Sequence, residues 1–434
     1  MAVIYRNSDR YIFQGWVVLG GVFCHLPLIL FSSAVLIYAL FGSPTPDHLG
    51  WVELIVGMLL CVVFLKPAIV LLRNNKPDYP FWVMFGFIFL LFGLCVGLIG
   101  AAVSGASFNN VIRDVLPFGF LFLPLLLIEY ARSEVFSRAY FIVFICLGLC
   151  FSLRATAPLW GFSDQFRYDF LYYLGNSPAV LFAALFTFGF AIMKLMRGFD
   201  VRSIFIAFVC FFASFACVLP MIMTSQRASL LAVVIYVGVV FSLGFARAPR
   251  RMMLLIVVFA FILFNFFSSM LHGIYNDFIE KSRMVGANMR FEEWQAVWSE
   301  ISSHPLSLFF GVGWGTHFSS PAVADVEVNY THSLLSAMLL KLGLLGFVMC
   351  GAYIGGLIVF LFRHARGHVI LIFAIMAPLL IDVFLYAAYK SFDFGLLLGM
   401  ISVVCMQSFE QSRIASYGPV RYENSKGDDA SKYA

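Results

Sequence analysis

The chain has 434 residues, of which 62% are hydrophobic, 18% aromatic and only 12% charged, with a formal net charge of +5. An ordinary soluble domain carries about a quarter charged residues, so no soluble fold can hide this much apolar surface. Spanning helices of about 20 apolar residues each would use most of the chain and leave little for a separate globular domain. Transmembrane strands alternate polar and apolar residues over about ten positions, and these runs do not. The expectation is an all-α, polytopic integral membrane protein with about twelve transmembrane helices and one long extracytoplasmic loop.

In chain order the predicted spans cover 12–41, 51–72, 81–102, 116–130, 139–153, 179–193, 203–223, 229–245, 252–271, 333–362, 369–386 and 393–409. The first run lacks a short apolar segment with a small-residue cleavage site and reads as a retained helix. The chain thus divides into nine N-terminal spans (1–271), a loop (272–331), three further spans (332–409) and a flexible cytoplasmic tail (410–434). All nine cysteines fall within apolar runs, without the paired spacing of disulfides or zinc sites, and read as packing residues.

The basic residues orient the map. Eighteen of the 28 lie on the side that carries both termini, in pairs and clusters such as Arg132 with Arg138, Lys194 with Arg197, and Arg247 with Arg250 and Arg251. Because basic loops stay in the cytoplasm, both termini are expected there. Lys66 and Lys341 fall within spans, and eight residues remain on the far side: Arg113, Arg154, Arg167, Arg227, Lys281, Arg283, Arg290 and Lys390. Singly these are ordinary loop charges; as a set they offer an anion a positive surface.

Two external segments are long. The first, 154–178, is rich in aromatic residues suited to the headgroup layer, among them Trp160, Tyr172 and Tyr173. In the second, Phe291, Trp294, Trp298 and Ile301 recur at helical spacing, with Glu292, Glu293, Gln295, Ser299 and Glu300 opposite. This predicts an amphipathic helix resting on the bilayer surface, the alternative being a helix packed on its own protein.

Three elements near this loop could carry chemistry. Arg227 sits in the tight turn Thr224-Ser225-Gln226-Arg227 at the membrane surface, where a guanidinium binds an anion, pairs with an acid or snorkels to headgroups. Arg290 opens the amphipathic helix, where it either meets a phosphate beside the N-terminal amides or pairs with Glu293 or Glu292. His332 precedes the tenth span, as a helix cap or as an imidazole that accepts a proton from a hydroxyl. Between the last two, Gly311-Val312-Gly313-Trp314-Gly315 permits either a plain turn or close approach to a ligand.

His332-Ser333, nine residues and then Gly343-Leu344-Leu345-Gly346 resembles the signature of the bacterial O-antigen ligase and O-antigen polymerase superfamily. Arg290 with Trp294, His304-Pro305 and Gly311-Val312-Gly313 is similar to that family's periplasmic-loop segment, and Ser225-Gln226-Arg227 to its arginine-bearing turn. Gln226 departs from the usual adjacent Ser-Arg pair, and 306–310 is longer than the usual gap before the glycines. The resemblance implies a glycosyltransferase that moves a glycan from an undecaprenyl-diphosphate carrier to lipid A-core, or to a growing glycan, on the periplasmic face. It implies Arg227 and Arg290 as the diphosphate clamp and His332 as the base, with no cofactor, metal or nucleic acid. Gly313, Trp314, Tyr330, Arg154, Arg167 and Lys390 are further candidate substrate contacts, and Lys281 and Arg283 weaker ones. The different-class alternative is a transporter or flippase with Arg227, Lys66, Lys341 and Asp382 along its pathway.

Overall fold

The computed structural model describes residues 22–42, 50–73, 79–160, 168–261, 265, 289–386 and 390–416. Residues 12–21 of the first predicted span, most of the last ten residues of the ninth, 272–288 of the long loop with Lys281 and Arg283, Arg167, and the chain beyond 416 lie outside the described residues. The chain is a polytopic, all-α membrane protein. Among the described residues nine helical segments are long and apolar enough to cross a bilayer, and two shorter apolar helices accompany them.

The helices are α1 (Val22–Phe41), α2 (Trp51–Arg73), α3 (Phe81–Ser104), α4 (Phe108–Phe120), α5 (Leu123–Ala131), α6 (Glu134–Ala155), α7 (Tyr168–Gly175), α8 (Pro178–Arg197), α9 (Val201–Met223) and α10 (Arg227–Arg247). After α11 (249–261) come α12 (Arg290–Ser302) and α13 (Pro305–Phe310), then α14 (Leu334–His364), α15 (Val369–Phe384) and α16 (Phe392–Ser416). A hairpin of β1 (Phe318–Ser320) and β2 (Val326–Val328) lies between α13 and α14, with Ser319 opposite Glu327. The last helix runs through Glu410 to Ser416, past the predicted start of a flexible tail at 410.

Helix is the local solution because hydrocarbon offers backbone groups no other partner. Ser133, Asp200 and Ser333 accept from the first-turn amides of α6, α9 and α14. The predicted span 116–130 is longer, beginning at Phe108 and interrupted after Phe120. Its polar first turns, with Arg113 and Asp114, hide it from an apolar-run reading. At the break the Tyr353 hydroxyl donates to the freed Leu121 carbonyl at 2.8 Å. The spans α8 and α16, apolar around most of their circumference, are the most enclosed among the described residues.

One close contact sets the site. Within α14, Gly343 takes φ 67° and ψ −165°, a region essentially restricted to glycine, and the helix kinks there. The kink lets the Leu340 and Lys341 carbonyls accept from the amides of Val312 and Gly313 at 3.0 and 3.1 Å. On the other side of the same turn, the Trp314 amide donates to the Gly97 carbonyl of α3 at 3.0 Å. The two glycine motifs of the sequence are therefore two sides of one backbone-to-backbone contact. A Cβ on Gly343 would lie 2.4 Å from the Phe309 carbonyl carbon, and one on Gly313 would lie 2.3 Å from that of Gly100.

The helices alternate up and down, so the ends at 104–108, 155–168, 223–227, 302–334 and 384–392 share one end of the bundle. The basic turns around Arg132, Arg197, Arg247 and Arg363 occupy the other. In a background stripped of native cysteines, cysteine at Ser319 should be labelled from one side of a sealed membrane and cysteine at Arg366 from the other. Labelling of both from one side would overturn the helix order. Gly343→Ala should lower the unfolding temperature in detergent, since the backbone conformation alone costs about 1–3 kcal/mol before the clash with Phe309 is counted; unchanged melting would reject the contact as structural.

Candidate functional site

The site is assembled at the end of the bundle away from the basic turns. Helix α12 buries Glu293, Val297 and Ile301, three residues spaced four apart, against Leu339 and Leu340 of α14 and Phe318 of the hairpin. This corrects the expected division of faces: Glu293 points inward, while Phe291 and Trp298 are 70% and 50% exposed. Trp294 is half-buried with its ring edge-on to Phe347, at 6.3 Å between centroids. Of the two alternatives for this helix, packing on its own protein is the one observed.

Glu293 is 1% exposed. Its Oε1 lies 2.9 Å from His332 Nδ1 and accepts from the Ser320 hydroxyl at 2.9 Å, and its Oε2 accepts from the His332 amide at 3.0 Å. Burial pushes this carboxyl up, but its hydrogen bonds with His332 and Ser320 outweigh that and hold it below the usual glutamate range. His332 does not cap α14. Ser333 does, its hydroxyl accepting from the Ser336 amide at 3.0 Å, which leaves the imidazole to Glu293.

Around His332 the other candidates gather unevenly. Tyr330 stands edge-on to the imidazole, with ring centroids 5.6 Å apart. The Lys390 ammonium lies 5.7 Å from the Tyr330 ring centroid and 3.1 Å from Asp114 Oδ1. Arg290, half-buried at the start of α12, has its guanidinium pushed below the ordinary range by burial, opposed by Glu293 and by Tyr172, Tyr386 and Tyr330. Burial, reinforced by Tyr172, pushes the Tyr386 phenol up, and the Arg290 and Arg227 guanidiniums both pull it back. The charges of both arginines thus bear on one phenol at the end of α15. Arg227 is the first residue of α10, after a turn in which Ser225 is left-handed (φ 50°) and buried Gln226 donates to Thr224 at 2.8 Å. The inserted Gln226 is a wedge that shapes the turn.

Three predicted contacts have other duties. Trp314 is 2% exposed, with its indole N–H donating to the Gly93 carbonyl at 2.9 Å, so it anchors the loop in the bundle and has no face for a sugar. Gly313 meets the α3 backbone and not a ligand. Arg154 donates to the Ala39 and Gly42 carbonyls at 2.9 Å each, closing the end of α1.

Sequence reasoning missed Asp114. Its Oδ2 lies 2.9 Å from the Lys341 ammonium and accepts from the Gly315 amide at 2.8 Å, while Oδ1 holds Lys390. Lys341, 3% exposed, also donates to the Thr316 carbonyl at 2.6 Å. A carboxylate buried between two ammonium groups joins α4, α14 and the turn just before α16 to the glycine turn. Nothing in the spacing announces it, because the partners lie far apart in the chain.

Residues 212–351 match the family model described as O-antigen ligase. Over this segment the chain is similar to the O-antigen ligase family. No curated protein matches the chain. The family segment contains Arg227, Arg290, Glu293, the glycine turn, His332 and Gly343, whereas Asp114, Tyr386 and Lys390 lie outside it. Asp114→Ala would strand two buried ammonium groups and should cost about 3–5 kcal/mol, read as a large fall in thermal unfolding temperature. A melt within a degree of wild type would show that the triad is not what holds the turn.

Proposed function

We propose that the chain moves a glycan from an undecaprenyl-diphosphate carrier to an acceptor hydroxyl on the periplasmic face of the bacterial inner membrane, with lipid A-core as the acceptor. The observation that carries this reading is that Glu293, one turn after Arg290 on the same helix, holds His332 at both its ring and its main-chain amide, at the end of the bundle where Arg227 opens α10. Basic turns at the other end of the bundle support an extracytoplasmic location for this group.

The chemistry follows from the residue types. Displacement at the anomeric carbon needs its departing diphosphate stabilised, and paired guanidiniums aimed at phosphate oxygens do this through charge-assisted hydrogen bonds. A sugar hydroxyl is a poor nucleophile until a base takes its proton, and the His332 imidazole stands at the membrane surface for that purpose. Attack on the lipid-linked sugar inverts its anomeric configuration. The transporter reading loses support because its four charges do not share a path. Lys66 is exposed on α2, and Lys341 is committed to Asp114.

The test is a purified transfer assay with an undecaprenyl-diphosphate oligosaccharide and lipid A-core. His332→Ala should abolish product, and Arg227→Ala and Arg290→Ala should each lower turnover by about 10²–10³-fold, the usual cost of one transition-state donor. Full turnover by His332→Ala would remove it as the base. Elongated donor in place of glycosylated lipid A-core would assign the same chemistry to a polymerase.

A further inference from the structure

The Glu293 carboxylate touches the His332 residue twice, at the ring Nδ1 (2.9 Å) and at the main-chain amide (3.0 Å), and its remaining contact is the Ser320 hydroxyl of the hairpin (2.9 Å). A buried acid is costly unless its oxygens are satisfied, and here the groups that satisfy it come from Ser320 of β1 and from His332, two residues before α14. An ionised carboxylate only accepts hydrogen bonds, so the ring atom facing it must carry the proton. The imidazole is then protonated at Nδ1 and presents a lone pair at Nε2. The main-chain contact matters as much as the ring contact, because it fixes the residue's backbone and with it the direction in which Nε2 points.

Building on the transfer reading above, we propose that Glu293 is a positioning residue: it holds the neutral His332 as the Nδ1–H tautomer, aims Nε2 at the acceptor hydroxyl, and stabilises the imidazolium that forms. In the transfer step the acceptor oxygen bonds to the anomeric carbon as its proton passes to His332 Nε2. The bond from that carbon to the carrier's diphosphate breaks, and the electron pair leaves with the diphosphate. The imidazolium, facing a carboxylate, is stabilised until it returns its proton to water. Arg290 and Glu293 lie one turn apart on α12, so the residue that meets the donor and the one that aims the base belong to one rigid rod.

The experiment uses the full chain in lipid nanodiscs. Nitrogen-15 NMR of histidine-labelled protein, with His332 assigned by comparison with His332→Ala and recorded where the ring is neutral, should show Nδ1 protonated. Glu293→Gln should bring in the other tautomer, lower kcat by about 10²–10⁴-fold, as loss of a base-orienting carboxylate does elsewhere, and leave the donor KM and undecaprenyl diphosphate binding within about twofold. The double variant with His332→Ala should be no slower than His332→Ala alone, since the two residues act as a unit. Wild-type kcat in Glu293→Gln, or an Nε2–H tautomer in the wild type, would overturn the proposal. Should Glu293→Gln fail to fold, Glu293→Asp and the wild-type spectrum carry the same decision. The tautomer is read without donor, so it stands or falls independently of whether the chain transfers a glycan.

Discussion

The structure hangs on a turn whose three glycines leave no room for a Cβ. Residues 311–315 enter the bundle between α3 and the kink of α14, and a loop at that depth must find partners for its amides without water. It finds them in carbonyls that the kink at Gly343 leaves without helical donors, in Gly97 of α3 and in the carboxylate of Asp114. Each of those partners requires another feature: the carbonyls need the kink, the kink needs glycine, and the buried carboxylate needs Lys341 and Lys390. The hairpin that follows, with Ser320 against Glu293, is fixed because the turn before it is fixed.

Buried charge is handled in two ways at this end of the bundle. Around Asp114 two ammonium groups share one carboxylate that a backbone amide also satisfies, so the positive excess is local and structural. Near Tyr386 the charges of Arg290 and Arg227 both act on a phenol, and the buried acid one turn after Arg290, Glu293, is already engaged. Both oxygens of Glu293 are taken by His332 and Ser320, and among the described residues neither forms an ion pair with Arg290. Arg290 is thus a cation held below its ordinary range by burial, and under the proposed function the anion that matches it arrives with the donor.

The fold class was legible because apolar run length is a one-dimensional property, and a bilayer imposes it. The start of the fourth span was not, because Arg113 and Asp114 read as loop residues until the two lysines that neutralise Asp114 are known. Lys341 shows the same limit from the other side. As an isolated intramembrane charge it suggests a transport path, and only the fold reveals its partner at the distant Asp114. The inward face of α12 was misassigned for a related reason. Phe291 and Trp298 outweigh Glu293 on any hydropathy scale, yet Glu293 turns inward with Val297 and Ile301 because His332 and Ser320 satisfy its oxygens. Motif spacing singles out Arg290 and His332 as candidates, and the fold brings both beside Glu293, whereas Trp314, in the same motif neighbourhood, is an anchor.

The spacing of the histidine and glycine motif has a physical meaning in this fold. His332 stands just before α14, and Gly343 lies about 16 Å farther along the axis at 1.5 Å per residue. The glycine thus lies well below the imidazole, at the level where the turn crosses the helix. Shortening that interval would raise the crossing point toward His332. Changing it by one residue would also rotate the kink by about 100° around the helix and carry the Leu340 and Lys341 carbonyls away from Val312 and Gly313. The interval therefore sets both depth and direction, and through the turn and hairpin it sets where Ser320 meets Glu293 and where Glu293 meets His332.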